Sequence, residues 1–376
     1  MKYYIIAGER SGDLHASNLI KQLRRQDPVA EIRGWGGDMM QEAGMDLVHH
    51  YQEMAFMGFA EVFRSLRKIL GFLRECKADI KTYQPDVVIL VDYAGFNMRI
   101  ARFAKKHGLK VYYYISPKIW AWNQGRVHKI KKVVDRMFVI MPFEEDFYAR
   151  FDYKVDYVGN PVNDSVTDHV ASTDFRTRNR LYNNKPIIAI LPGSRRQEIE
   201  SMLHVMLSVL PSFRDYQFVV AGVSNFSKAY YEQYNKDPNI KIIYDQTYDL
   251  LAHAQAALVT SGTATLETAL FGVPQVVCYK TSAISYAIGK MVIKVPYISL
   301  VNLIADKPVV TELIQDDFTP KKIIAELKQI LFDKYFIKKQ KEGYALVRQK
   351  IGEYRTAERA AELMVGYLTE EKTAKA

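Results

Sequence analysis

Short apolar runs recur along the chain and alternate with segments in which apolar residues fall at helical spacing. Runs of this length between helical patterns are typical of a parallel β-sheet covered by helices. In chain order, the runs occupy residues 3–7, 86–91, 110–115, 136–140, 187–191, 217–221, 240–244, 256–260 and 275–279. The pattern predicts an α/β protein with two Rossmann-like domains, each built on a parallel sheet.

A polar stretch separates the two series of runs. Residues 164–185 contain few large aliphatic side chains and several Asn, Asp, Ser and Thr residues. The chain of 376 residues is also longer than one hydrophobic core usually supports. We therefore predict a first domain at 1–164, a linker at 165–185, a second domain at 186–345, and a C-terminal helical segment at 346–376 that returns to the first domain.

The formal net charge of +10 favours an anionic partner. Nucleic acid is a poor candidate, because the sequence has no zinc-finger spacing, no basic-leucine-zipper pattern and no aromatic RNA-binding signature. A phosphate-bearing ligand or an acidic lipid surface remains.

The N-terminus and the cysteines indicate a cytoplasmic protein. The apolar run that follows Met1 is too short for the core of a signal peptide. No stretch approaches the roughly 18 apolar residues that span a bilayer, so we expect any membrane contact to be peripheral, at the inner face of the cytoplasmic membrane. Cys76 and Cys278 are the only cysteines, and we interpret both as buried small hydrophobic residues.

Polar loops at the carboxyl ends of parallel strands are where ligands bind in such sheets. Gly8, Ser11, Gly12 and Asp13 follow the first run, in a turn that opens a helix. Their amides can meet a phosphate or sugar oxygen, and a tight turn with a helix cap explains the same residues. The loop lacks the G-x-G-x-x-G and P-loop patterns, which disfavours a dinucleotide-dependent oxidoreductase and an NTPase.

Asp92 follows the nearly continuous apolar run at 86–91. A carboxylate at this end of a strand can accept the proton of an attacking hydroxyl, and partial burial would raise its pKa toward the useful range. The alternative is that Asp92 caps the helix that starts near Phe96.

The loop after the run at 187–191 suits a diphosphate. Gly193, Ser194 and Arg195 combine a glycine turn, a helix N-terminus and a guanidinium group that can contact phosphate oxygens in a bidentate manner. A structural role accounts poorly for two consecutive arginines at this edge.

The loop after the run at 256–260 resembles a second anion site. Ser261, Gly262 and Thr263 offer amides and hydroxyls at a helix N-terminus, and Glu267 lies about one turn inside the helix. A glutamate there can accept hydrogen bonds from both hydroxyls of a nucleotide ribose. Its alternative role is a favourable negative charge near the positive end of a helix.

Residues 56–74 form a basic amphipathic pattern with unusual apolar bulk. Phe56, Phe59, Phe63 and Phe72 contribute to the apolar surface, and arginines and lysines lie on other faces. Such a helix fits a membrane interface and contact with acyl chains. A helix packed on the sheet with a solvated basic face fits the same pattern.

Several motifs together resemble the lipid-A-disaccharide synthase family, which are inverting glycosyltransferases of the GT-B architecture. They are AGERSGDL at 7–14, MGFAEV at 57–62, Ser116-Pro117 with Trp120-Ala121-Trp122, LPGSR at 191–195, SGTATLE at 261–267 and SLVNL at 299–303. Each motif is short, but their order and spacing are specific and span nearly the whole chain. The resemblance implies two parallel sheets that face a central cleft.

The resemblance also implies a reaction. A 2,3-diacylglucosamine unit would pass from UDP-2,3-diacylglucosamine in the second domain to 2,3-diacylglucosamine 1-phosphate in the first, giving the β(1→6)-linked lipid A disaccharide 1-phosphate and UDP. Asp92 matches the family's candidate general base, and Arg195, Glu267 and Asn302 match positions associated with the donor. No metal ion and no cofactor is expected, in agreement with the lack of an Asp-x-Asp pair.

The chain departs from the family at Ala94, where proline is usual, and at Asn160, where histidine is usual. No role is therefore carried over to Asn160. Two other functions use many of the same features. A GT-B enzyme such as a UDP-N-acetylglucosamine 2-epimerase would share the UDP site without needing an acyl-binding surface, and a non-catalytic nucleotide-sugar or lipid-binding protein would need no carboxylate such as Asp92.

Overall fold

The computed structural model describes residues 1–55, 62–234 and 237–374. The chain divides into two compact units: Met1–Pro161 together with Glu353–Ala376, and Val162–Gly352. Each unit is a parallel α/β layer structure, so the predicted fold class is confirmed.

The segment 165–185, predicted as a linker, lies inside the second unit. Phe175 and Leu181 are buried there in a cluster with strand residues of that unit. These two buried side chains attach the segment to the sheet of the second unit. This attachment was not predicted from the sequence, because the segment is polar on average.

The strands of the first unit are β1 (Lys2–Ala7), β2 (Glu31–Gly36), β3 (Asp46–His50), β4 (Val87–Val91), β5 (Lys110–Tyr114), β6 (Arg136–Val139) and β7 (Asp156–Tyr157). Within the described residues they form one seven-stranded parallel sheet in the order β3-β2-β1-β4-β5-β6-β7. The inner strands β1 and β4 are almost wholly apolar and buried, as expected where helices cover both faces.

The helices of this part of the chain are α1 (Arg10–Gln26), α2 (Asp38–Glu42), α3 (Tyr51–Ala55), α4 (Val62–Tyr83), α5 (Ala94–Lys106), α6 (Ile119–Trp122), α7 (Val127–Ile130) and α8 (Phe143–Ala149). The strand order reverses between β1 and β4, because β2 and β3 lie on one side of β1 and β5 to β7 lie beyond β4. The loops after β1 and β4 therefore lie side by side at the switch point, where such sheets bind ligands.

The strands of the second unit are β8 (Ile187–Leu191), β9 (Gln217–Gly222), β10 (Ile240–Tyr244), β11 (Ala254–Thr260), β12 (Gln275–Tyr279) and β13 (Thr311–Ile314). Over the described residues they form a six-stranded parallel sheet in the order β10-β9-β8-β11-β12-β13. The order reverses between β8 and β11, so the loops after these two strands meet at a second switch point.

The helices that follow are α9 (Pro161–Asp168), α10 (Phe175–Arg178), α11 (Arg196–Leu207), α12 (Lys228–Glu232), α13 (Thr247–His253), α14 (Thr263–Leu270), α15 (Ala283–Val292), α16 (Leu300–Ala305), α17 (Pro320–Phe332) and α18 (Lys334–Ile351). Helices α11 and α17 bury apolar faces in a core with β8, β9 and β11. The opposite face of the sheet packs with α13.

The last helix, α19 (Thr356–Thr373), belongs to the first unit and packs against α1. Ala360, Ala361, Met364 and Leu368 are buried in the same cluster as the apolar face of α1. The two small alanines allow the helices to approach closely, and Met364 is fully buried in the same cluster.

A buried carboxylate ties together two loops at the carboxyl edge of the first sheet. The Ser116 hydroxyl, after β5, donates to the carboxylate of Glu144, and the Met141 amide, after β6, donates to it at 2.9 Å. The Ile140 amide also donates to this group, at 3.2 Å. Burial dominates over these hydrogen bonds and raises the pKa of Glu144 to about 7.

Replacing Met364 with Ala is expected to lower the free energy of unfolding by about 2–5 kcal/mol, because removal of a fully buried side chain leaves a cavity in the core that α19 shares with α1. Equilibrium urea unfolding of the full chain measures this change. The control is Glu370→Ala, at an exposed position of the same helix. Equal effects of the two substitutions would contradict the packing assigned to α19.

Replacing Glu144 with Gln is expected to change how stability depends on pH. The ordinary pKa of glutamate is 4.5, whereas the pKa of Glu144 in the folded protein is about 7. Because the folded protein binds the Glu144 proton more tightly than the unfolded chain, this proton stabilises the fold fully below pH 4.5. The stabilisation is lost as pH rises toward 7. Glutamine imitates the protonated form. Relative to the parent, Glu144→Gln should gain about 3 kcal/mol between these limits. Urea unfolding at several pH values measures the difference, and parallel pH curves would contradict the assignment.

Candidate active site

The loop after β1 approaches the loop after β4 closely. A Cβ atom at Gly8 would lie 2.2 Å from the ring of Tyr93, so only glycine fits there. A Cβ atom at Gly12 would lie 3.2 Å from the Cβ atom of Ala7, which shows how tightly α1 packs on β1. Both glycines therefore bring the two loops and the first turn of α1 together.

Asp13 points into the protein rather than capping its own helix. Its carboxylate accepts hydrogen bonds from the amides of Gly37 at 2.9 Å, Met40 at 3.1 Å and Met39 at 3.3 Å. Asp13 therefore does not supply the helix cap that was the alternative explanation of this turn, because its oxygens hold the turn into α2. Ser11 is exposed at the start of α1.

Asp92 lies in an unusual backbone conformation at the end of β4. Asp92 and Tyr93 have φ angles of 46° and 44°, in the left-handed region that disfavours residues with side chains. The Tyr113 hydroxyl and the Asn97 side-chain amide, the latter at 2.9 Å, donate to the Asp92 carbonyl oxygen. Helix α5 begins at Ala94 with Tyr93 at its N-cap and no capping side chain, so Asp92 does not act as the cap.

The Asp92 carboxylate is half-buried, and its pKa is raised by burial and then by the negative charge of Glu9. Lys118 acts in the opposite direction. Glu9 therefore lies close enough to Asp92 for its negative charge to act on that carboxylate. Glu9 was not named as a site residue from the sequence. Its position directly after Gly8, in the loop after the first strand, was the signal that could have identified it.

The loop after β8 is shaped around a carboxylate. Gly193 has a φ angle of 100°, and the carboxylate of Glu198 accepts hydrogen bonds from the amides of Ser194 and Arg195, each at 3.2 Å. The Arg195 guanidinium donates to the same carboxylate at 3.1 Å, yet its side chain is 84% exposed. The amides of this loop thus point toward the negative charge of Glu198. The exposed guanidinium of Arg195 places a positive charge at the switch point.

The neighbouring loop, after β11, opens α14. Gly262 is its N-cap with a φ angle of 147°, and a Cβ atom there would meet nothing within 4 Å. The Ser261 hydroxyl donates to the Ile298 carbonyl oxygen at 2.8 Å, and Thr263 is exposed. This helix N-terminus is therefore accessible, and the Ser261 oxygen still has lone pairs to accept a hydrogen bond.

Glu267 lies one turn inside α14 and is half-buried. The Tyr248 hydroxyl donates to its carboxylate at 3.4 Å, and burial raises the pKa of Glu267. A partly desolvated carboxylate of this kind gains from additional hydrogen-bond donors such as ribose hydroxyls.

Asn302 has no hydrogen-bonding capacity left for a ligand. Its side-chain nitrogen donates to the Val310 carbonyl oxygen at 3.0 Å and to Glu312 at 2.9 Å, and its oxygen accepts from the amides of Val309 and Val310 at 2.8 and 3.0 Å. Glu312 also accepts from Ser299, the N-cap of α16. Asn302 is therefore a buried brace, rather than the direct donor contact that the sequence suggested.

The two departures from the family pattern have structural accounts. Ala94 occupies the first position of α5, where proline is also well accommodated. Asn160 is fully buried, and its side-chain nitrogen donates to the Ile140 carbonyl oxygen at 2.9 Å. It supports the loop after β6.

Phe72 is buried in the first unit, where its ring meets that of Trp35 edge-on at 5.9 Å. Packing accounts for this residue, so we leave it out of any membrane surface. Phe56 and Phe59 lie outside the described residues, as does the side chain of Phe63.

Two general properties bear on the site. The described part of the chain brings together no group of three His, Cys, Asp or Glu side chains that could hold a metal ion. Over the same residues, no helix combines the length and apolar character needed to cross a membrane.

Known proteins with similar sequences are lipid-A-disaccharide synthases. The lipid-A-disaccharide synthase of Syntrophus aciditrophicus (strain SB) is 41% identical over 364 residues, which cover 95% of each chain. That of Geobacter metallireducens is 39% identical over 370 residues, covering 97% of this chain and 96% of the relative.

A UDP-GlcNAc 2-epimerase from Neisseria meningitidis, solved with UDP-GlcNAc bound, is similar in structure. The TM-score is 0.66 at 14% identity, covering 98% of this chain and 100% of that one. At this identity, the likeness shows the shared GT-B-like fold alone.

The family is shown by sequence. A family model described as lipid-A-disaccharide synthetase matches residues 3–364, nearly the whole chain. Together with relatives at about 40% identity over almost their full length, this match means that the chain belongs to the lipid-A-disaccharide synthetase family and is a glycosyltransferase of lipid A biosynthesis.

Proposed function

We propose that the chain transfers 2,3-diacylglucosamine from UDP-2,3-diacylglucosamine to 2,3-diacylglucosamine 1-phosphate, giving the β(1→6)-linked disaccharide 1-phosphate and UDP. The observation that carries the proposal is that one switch point presents a candidate base and the other presents groups that attract anions. A half-buried carboxylate, Asp92, lies at the first, and anion-directed loops with Arg195 and the N-terminus of α14 lie at the second.

Asp92 acts as the general base on the acceptor. Its carboxylate takes the proton of the acceptor's 6-hydroxyl, the oxygen attacks the anomeric carbon of the donor, and the bond from that carbon to the UDP oxygen breaks. Attack opposite the leaving group inverts the anomeric configuration. The raised pKa of Asp92 makes it a stronger base than an ordinary aspartate, while Lys118 limits the shift.

The second unit holds UDP. The Arg195 guanidinium contacts the diphosphate and offsets the negative charge that develops on it as the sugar leaves. The amides at Gly262 and Thr263 approach the phosphate oxygens, since an exposed helix N-terminus favours anions. Glu267 accepts hydrogen bonds from the ribose hydroxyls. Because Arg195 and the N-terminus of α14 supply positive charge at the phosphates, the proposal includes no metal ion.

The proposal also includes peripheral contact with the inner face of the cytoplasmic membrane. Both substrates carry acyl chains, and the chain has a net charge of +10 that suits an anionic surface. Helix α4 contributes exposed Leu70 and Lys68 to this contact. The segment 56–74 remains its predicted centre.

Replacing Asp92 with Asn is expected to lower kcat by roughly 10²–10⁴-fold, because the base is lost, while UDP affinity stays nearly unchanged. A radiolabelled assay with the two lipid substrates, followed by the product mass, measures turnover. In the parent, activity should fall with decreasing pH at a value above the ordinary aspartate range.

The matched control is Asp86→Asn, at the opposite end of the same strand, where the carboxylate accepts from the Lys2 amide at 2.7 Å. This variant should retain turnover. Near-normal turnover in Asp92→Asn would remove Asp92 from the mechanism.

Replacing Arg195 with Ala is expected to lower kcat/KM for the donor by about ten-fold or more, since a hydrogen bond to a charged group contributes about 1.5–3 kcal/mol. Acceptor KM should change little. The control is Arg214→Ala, an exposed arginine that precedes β9 at the other edge of the sheet. If both variants lose only stability, the diphosphate contact is wrong.

A further inference from the structure

Helix α15 is amphipathic in sequence but has no buried residue. Ile284, Ile288 and Met291 are 75%, 52% and 79% exposed. They are spaced by four and three residues, so they form one stripe on the helix surface. The next residues, Val292 and Ile293, extend the exposed apolar surface.

This exposure is unusual within the second unit. Helix α17 is also amphipathic and contains more charged residues, yet it buries Ile323, Leu327, Ile330 and Leu331 in the core. A soluble domain rarely exposes a contiguous apolar stripe without a partner that covers it.

The charge around α15 identifies the kind of partner. The chain has no acidic residue between Glu267 and Asp306, and it has three lysines there, Lys280, Lys290 and Lys294. Lys290 and Lys294 are exposed beside the apolar stripe. Apolar side chains flanked by lysines alone are complementary to an anionic bilayer, which offers acyl chains beneath negative headgroups.

The position of α15 places this surface near the candidate donor site. Helix α15 follows β12, and β12 pairs with β11, whose carboxyl end leads to Gly262. A surface at this edge would hold the second unit against the membrane from which an acylated donor arrives.

We propose that residues 283–293 form a membrane-contact surface of the second unit that rests on an anionic bilayer. It goes beyond the contact proposed for 56–74, because it lies in the other unit and on a different set of side chains. It shares with the proposed function the idea of a peripheral protein, but vesicle binding tests it without any reaction.

The test compares the full-length parent with the triple variant Ile284→Ser, Ile288→Ser, Met291→Ser. Binding to sedimenting vesicles of phosphatidylcholine and phosphatidylglycerol is measured without substrates. The variant should bind at least about ten-fold more weakly, since three apolar side chains no longer insert. The matched control is Val29→Ser, Val170→Ser, Tyr335→Ser, which removes three comparably exposed apolar side chains elsewhere and should bind like the parent.

A second variant separates charge from insertion. Lys290→Gln with Lys294→Gln should weaken binding at low salt, and the difference from the parent should shrink as salt rises or as phosphatidylglycerol is omitted. Circular dichroism establishes that each variant is folded, which is expected because none of these side chains is buried.

Three results would overturn the proposal. The triple variant could bind vesicles like the parent, which removes the surface altogether. It could bind vesicles normally but raise the KM for the acylated donor with unchanged UDP affinity, which assigns the stripe to donor acyl chains. It could instead convert an oligomeric parent to a smaller species with unchanged vesicle binding, which assigns it to a second copy. Turnover with detergent-dispersed substrates reports separately on the proposed reaction.

Discussion

The reversal of strand order at the centre of each sheet is the constraint on which the rest of the structure depends. In each unit the chain builds outward on one side of the first strand, returns, and continues on the other side. Loops that follow the two central strands must then diverge to cover opposite faces, which leaves polar groups at the carboxyl edge without covering structure. Both groups of candidate residues lie at such a point.

At the first switch point, Asp92 is held in a strained backbone conformation. Asp92 and Tyr93 both adopt left-handed backbone angles, which persist only where surrounding contacts enforce them. Tyr113 and Asn97 supply those contacts through the Asp92 carbonyl oxygen, and Gly8 leaves room for the Tyr93 ring. The strain is thus distributed over three elements, and it fixes the direction of the side chain proposed as the base.

Buried or partly buried carboxylates brace the loops at these edges. Asp13 holds the turn into α2, Glu144 joins the loops after β5 and β6, and Glu198 organises the loop after β8. Glu312 does the same for α16 through Asn302 and Ser299. In each case a carboxylate accepts donors that would otherwise be unpaired, so the loops are shaped before any ligand binds.

The sequence by itself determined the apolar strands and the loops at their carboxyl ends, because a buried parallel strand needs a continuous apolar run. It did not predict β2, whose Arg33, Gly34 and Gly36 break that pattern, since pairing with β1 makes this segment a strand. From the sequence, Asp13 and Asp92 looked alike, because each lies in a segment that follows a predicted strand. Only tertiary structure decided that Asp13 turns inward to amides 24 to 27 residues away while Asp92 stays accessible, because hydrogen-bond partners come from elements distant in sequence. The same reason made Asn302 a brace, because its partners Val309, Val310 and Glu312 lie seven to ten residues further along the chain.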